Sequence, residues 1–140
     1  MRYVLDSSVA FKWVVPEPDS SRADQLRDDG RANVHEILAP DIFPAELAHA
    51  LTRAERQGRI LVGQARLFWA DVMSTPPILH AALSLLSRAI DISSAARIGV
   101  YDCLYVALAE REGGELVTAD ARLVANLKPR FPFIVDLASL

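Results

Sequence analysis

Short apolar runs rich in β-favouring residues alternate with segments of helical spacing, and this alternation restricts the fold more than any other feature of the chain. RYVL at residues 2–5 is broken by Asp6-Ser7-Ser8. VAFKWVV then continues to Pro16, which reads as strand, turn and helix. Asp19-Ser20-Ser21 offers caps for a polar helix to about Gly30, and residues 34–39 form a second strand stopped by Pro40. A helix is expected from Asp41, with Pro44 tolerated in its first turn. Phe43, Leu47, Ala50, Leu51 and Ala54 fall on one face of it before Gly58. A further helix over 62–73 halts at Pro76-Pro77, residues 78–80 give a small third strand, and 81–90 form an alanine- and leucine-rich helix. After Gly99 an apolar helix over 101–111 meets Gly113-Gly114, and Glu115–Thr118 is a fourth strand. A short helix from Ala121 and a last strand near 133–135 complete the pattern. Strands alternating with helices predict βα units, hence a three-layer α/β/α sandwich around a mostly parallel sheet of four to five strands.

A chain of 140 residues has the size of one domain, and no repeat, low-complexity tract or linker divides residues 1–140. With 51% hydrophobic and 24% charged residues, neither a disordered nor a fibrous class fits. The N-terminus reaches Asp6 without the apolar core of a secretory signal, and no apolar run is long enough to cross a bilayer, so a cytoplasmic protein is expected. Cys103 stands alone among apolar residues, which excludes an internal disulfide or a cysteine-rich zinc site and predicts a buried, inert thiol. A formal charge of −3 argues against a protein that coats nucleic acid by electrostatics alone. It does not exclude a nuclease, because acids clustered around divalent cations have a local charge that the whole-chain value does not report.

Ligands of open parallel sheets bind beyond the carboxyl ends of the strands. Asp6 directly follows RYVL, and Asp120 follows ELVT after one residue. Asp102 opens the apolar helix, and Glu46 lies early in the helix after the second strand. Taken singly, an aspartate between strand and helix is a common N-cap, and a helical glutamate is usually solvated surface. Four acids, each set in an apolar segment, are costly to half-bury near one another without cations between them. Oxygen ligands suit Mg²⁺, with Mn²⁺ as a substitute. Such ions can activate a water and stabilise the phosphate in phosphodiester cleavage. His35, His49 and His80 are isolated and read as surface or core residues.

At these residues the chain resembles the PIN-domain ribonucleases, and within them the VapC-type toxins of toxin–antitoxin pairs. VLDSSV is similar to the family's first motif, PAELAHAL to its central glutamate motif, and YDCLYVALAEREGGELVTAD to its most recognisable segment. The resemblance runs nearly end to end. It implies a cytoplasmic, metal-dependent endoribonuclease that hydrolyses RNA, is generally homodimeric, and is held inactive by a small VapB-like antitoxin. It implies that Asp6, Glu46, Asp102 and Asp120 are catalytic metal-site carboxylates, with Ser8 and Thr118 as polar residues that orient them. Many relatives carry Thr-Asn after the first acid where this chain has Ser7-Ser8. Some add an acid soon after the fourth, where this chain has Leu123 and Val124.

Lys12, Arg97, Arg122, Lys128 and Arg130 are candidates to steer RNA phosphates, with ordinary solvated surface as the alternative. Residues 11–15 and 67–69 complete the core or line a partner surface. A receiver-type phosphorylation domain lacks its acidic pair here, and a haloacid-dehalogenase-type phosphatase lacks its second aspartate, since Ser8 occupies that position. The stronger alternative is a PIN-like fold kept as a binding or assembly module with little catalysis.

Overall fold

A computed structural model covering residues 1–140 contains five strands, β1 (Arg2–Leu5), β2 (Glu36–Pro40), β3 (Ile78–His80), β4 (Glu115–Thr118) and β5 (Ile134–Asp136). They form one sheet in the order β3-β2-β1-β4-β5, and every neighbouring pair is parallel. The connections carry seven α-helices: α1 (Ser7–Val14), α2 (Ser20–Arg31), α3 (Phe43–Arg56), α4 (Gln64–Ser74), α5 (Leu86–Ala96), α6 (Val100–Glu112) and α7 (Ala121–Leu127). The α/β/α sandwich expected from the alternation is therefore the architecture found. No single helix is long and apolar enough to cross a membrane.

Side chains alternate across a strand, so each central strand feeds both layers. Val4 of β1 and Leu116 of β4 face a large core with Phe43, Leu47 and Leu51 of α3. Leu5 and Val117 face a smaller one with Val9, Ala23, Leu26 and Leu137. Helix α6 lies within the large core, and its residues Cys103 to Ala109 are all buried. This is why its sequence shows apolar residues on every side instead of a stripe. Gly114 admits no side chain, since a Cβ there would stand 2.7 Å from the Arg2 carbonyl oxygen.

Differences from the sequence reading lie at element ends. The helix expected over 81–90 begins as a 3₁₀ turn, Ala82–Leu85, whose first amide donates to Asp41 Oδ1, and it runs on as α5 to Ala96. It stops where Arg97 adopts a left-handed conformation (φ 61°) that the sequence does not mark with glycine. Strand β2 starts at Glu36 because residues before it turn through Asn33 (φ 59°), with the Val34 amide bonded to Asp29 O. It includes Pro40, since pairing with β1 ends at Leu38 and leaves no bond for a proline amide to supply there.

Candidate active site

The strand order reverses beside β1: β2 and β3 extend to one side and β4 and β5 to the other. A crevice opens at such a switch point, here between the carboxyl ends of β1 and β4. The pairing of Leu5 with Val117 brings Asp6 alongside Thr118, and the Asp6 amide donates to Val117 O at 3.1 Å. Asp6 is 7% exposed. Its Oδ2 accepts from Thr118 Oγ1 at 2.8 Å, and its Oδ1 accepts from the Ser8 amide at 3.3 Å and Ser7 Oγ at 3.4 Å.

Thr118 is fully buried and joins two of the acids. While donating to Asp6 it accepts from the Asp120 amide at 3.1 Å, which fixes the backbone from which the Asp120 side chain springs. Asp120 Oδ1 in turn accepts from the amides of Arg122 and Leu123 and caps α7. Ser8 acts differently from a hydroxyl that touches a carboxylate: its amide holds Asp6 while its Oγ accepts from the Ala119 amide at 3.1 Å. Its side chain thus pins the loop after β4 to the start of α1.

Asp6 and Asp120 combine N-capping with cleft position, so the two readings of a strand-end aspartate coincide at both. Asp102 is different. It lies in the first turn of α6, whose N-cap is Gly99. Burial pushes its carboxyl up to about 6, and the charges of Asp6 and Asp120 add to the effect with no hydrogen-bond donor opposing them. Glu46, in the first turn of α3, is raised by burial and then by Asp6 and Asp102. A hydrogen bond from Tyr105 Oη to its Oε1, 2.7 Å long, works against that shift. Asp6 is also held above the usual carboxylate range by burial, with Asp120 adding to it and the Thr118 and Ser8 donors offsetting part.

Asp6, Glu46 and Asp102 are therefore each raised in part by another acid of the cleft. The chain's ion pairs engage other carboxylates throughout, and no lysine, arginine or histidine neutralises Asp6, Glu46, Asp102 or Asp120. Half-buried carboxylates without a cationic partner are an oxygen-only donor set suited to a hard divalent cation. No three of these side chains stand close enough together to hold an ion as they are, and they would have to rotate toward one to share it.

A cavity of about 580 Å³ adjoins the acids through Ser7, Ser8 and Ala119, and Lys12, His49, Arg53 and Arg59 line it. Lys12 is the one residue of the five proposed from sequence to steer phosphates that lines this groove. There its Nζ is held by Pro18 O at 2.8 Å and by Glu17. Lys128 is committed elsewhere, donating to Ile134 O at 2.6 Å, while Arg97, Arg122 and Arg130 are exposed. Sequence reasoning missed Arg53, Arg59 and Tyr105. Arg53 sits on α3 seven residues after Glu46, a helical spacing that a projection would have revealed, whereas Arg59 lies in the turn beyond the helix, where spacing gives no signal. Tyr105 falls three residues after Asp102, on the same face of α6. Cys103 is buried, and burial pushes its thiol up to about 11, in keeping with an inert side chain.

A parallel sheet with hydroxyl-buttressed acids, none in an ion pair, at its switch point is a strand-end acidic cleft of the α/β class. Known proteins narrow the class. Residues 3–126 match the PIN domain. The chain is 36% identical over 120 residues to ribonuclease VapC3 of Mycobacterium tuberculosis, covering 86% of this chain and 83% of that one. It is 28% identical over 137 residues to ribonuclease VapC3 of Pyrobaculum aerophilum, covering 96% and 98%. Its fold is similar to the crystal structure of PAE2754 from Pyrobaculum aerophilum (TM-score 0.71, 23% identity, 99% and 94% covered). It is also similar to VapBC2 from Rickettsia felis bound to a DNA fragment from their promoter (TM-score 0.63, 17% identity, 97% of both). The chain belongs to the PIN-domain family and, within it, to the VapC ribonucleases.

Proposed function

We propose that this ribonuclease cuts RNA internally at the cleft of Asp6, Glu46, Asp102 and Asp120, with Mg²⁺ or Mn²⁺ as cofactor, as the toxin of a toxin–antitoxin pair. The observation that carries the reading is the gathering of these carboxylates at one strand end, three of them raised by burial and by neighbouring acids, with no protein cation paired to any of the four. Asp6, Glu46, Asp102 and Asp120 would hold a divalent cation there, and it would supply the positive charge that phosphodiester hydrolysis needs at the water and the phosphate. The chain's own residues hold and orient. Thr118 and the Ser8 amide fix the Asp6 carboxylate, the α7 amides fix Asp120, and the Tyr105 hydroxyl fixes one oxygen of Glu46. Arg53, in no ion pair, is the groove residue free to engage a phosphate of the strand, while Lys12 and Arg59 flank it tied to Glu17.

The partner is a small VapB-like antitoxin, and the protein acts as a homodimer in the cytoplasm. Exposed Leu61, Val62, Leu67 and Trp69 at and before α4 support a partner surface, since clustered apolar side chains in water favour association. The test is cleavage of a single-stranded RNA by the purified protein with Mg²⁺ or Mn²⁺, with EDTA, and by Asp6→Asn and Asp102→Asn. Internal cuts that EDTA and both substitutions abolish are expected. Equal cleavage by all three proteins contradicts the mechanism, and RNA binding without cleavage by wild type favours the binding-module alternative.

A further inference from the structure

We infer that Tyr105 is a positioning residue that commits Oε1 of Glu46 and leaves Oε2 as the oxygen that meets the cation. The inference rests on the metal-site reading above and deepens it. Tyr105 is 1% exposed and sits in the middle of α6, so its ring has no freedom to follow a mobile partner. An ionised carboxylate only accepts hydrogen bonds, so the 2.7 Å contact runs one way, from the phenol to Glu46. Glu46 otherwise has a long side chain on the first turn of a helix, where a glutamate commonly turns back to the amides of its own turn. Its partner lies 59 residues away instead. The spacing on α6 explains the economy of the arrangement. Asp102 and Tyr105, three residues apart, share one face of the helix, so a single rigid element presents a carboxylate and the donor that aims a second carboxylate from α3. Partners of metal-binding carboxylates act through ligand orientation, and their loss typically weakens metal binding about 10- to 100-fold.

A purely structural tyrosine makes a different forecast, because a buried hydroxyl needs some acceptor and Glu46 would serve only as that. The experiment measures Mn²⁺ affinity by calorimetry for wild type, Tyr105→Phe, Glu46→Gln and the double variant. Melting temperature without metal is read on the same samples. The expected result is roughly tenfold weaker Mn²⁺ binding in Tyr105→Phe. Rate is expected to recover at saturating Mn²⁺, and Tyr105→Phe should add no further loss in the Glu46→Gln background. Wild-type affinity in Tyr105→Phe alongside weakened Glu46→Gln overturns the tyrosine inference alone. Failure of wild type to bind Mn²⁺ overturns the metal-site reading beneath it. A crystal structure of the Mn²⁺-loaded wild-type protein tests the geometry without any substitution. Coordination through Oε2 with the Tyr105 contact retained is expected, and a bidentate Glu46 or a broken contact contradicts it.

Discussion

The two ends of the sheet treat their carboxylates in opposite ways. At the amino end Glu36 meets Arg2 at 2.7 Å across the first residues of β1 and β2, both largely exposed, and the nearby Glu110 meets Arg88 at 2.8 Å. Arg88 holds Glu110 below its ordinary value. At the carboxyl end Asp6, Glu46 and Asp102 are all held above theirs, by burial first and with added effect from neighbouring acids of the cleft. The same residue types are paired and solvated at one end, unpaired and half-dry at the other. Stability alone does not select the second arrangement, since an uncompensated buried charge is among the costlier features a fold can carry. The proposed cation site lies at the end that accepts this cost.

The contrast breaks if a substitution at each end has the same consequence. The largest expected difference is catalytic: Asp102→Asn should lower RNA cleavage by about three powers of ten, the scale of several kcal/mol of lost charge stabilisation. Glu110→Gln should stay close to wild type, and initial rates on one RNA substrate check both. Next is Thr118→Val, which keeps the shape but strips a buried hydroxyl that serves Asp6 and the Asp120 amide together. A loss of about 1–3 kcal/mol of stability, with weaker metal binding, is expected from denaturant melts and titration.

The third expectation has the opposite sign. The folded Asp102 carboxyl lies near 6 and the ordinary value is 3.8. Between those pH values the folded chain holds the extra proton, so the metal-free protein loses stability as pH rises through the window and keeps that loss above it. Asp102→Asn should therefore stabilise the metal-free protein at pH 7, by about 1–2 kcal/mol after allowance for solvent access to the side chain. The gain should vanish near pH 4. The smallest effect belongs to the amino end: Arg88→Ala removes an exposed pair, and a change below about 1 kcal/mol is expected in thermal melts.

Much of this was legible in the sequence because the signals were local. Strand-ending aspartates, the Thr-x-Asp after β4 and the run of apolar residues in α6 depend on neighbours within a few positions. These gave the sandwich, its parallel sheet and the positions of Asp6, Asp102 and Asp120, while Glu46 leaned more on the family resemblance. The supporting contacts were not legible, because they join distant positions. Thr118 reaches Asp6 across 112 residues, Ser8 reaches Ala119 across 111, and Tyr105 reaches Glu46 across 59. Ser8 shows the limit best: the motif marked it as a polar residue that orients the acids, and the structure divides that role, with the backbone amide holding Asp6 and the hydroxyl tying two loops. Element ends failed for a related reason, since Arg97 closes α5 in a left-handed conformation that composition assigns to glycine.

The central claim is that the unpaired acids form one divalent-cation site, and the direct measurement is the melting temperature at pH 7.5 with and without Mn²⁺ for wild type and the Asp6→Asn/Asp102→Asn double variant. Binding to the folded state alone raises stability by about 2.7 kcal/mol at a hundredfold excess over Kd, so a rise of several degrees is expected for wild type and close to none for the variant. The variant should also start from a higher melting temperature than wild type without metal. An equal rise in both proteins, or none in wild type, contradicts the claim.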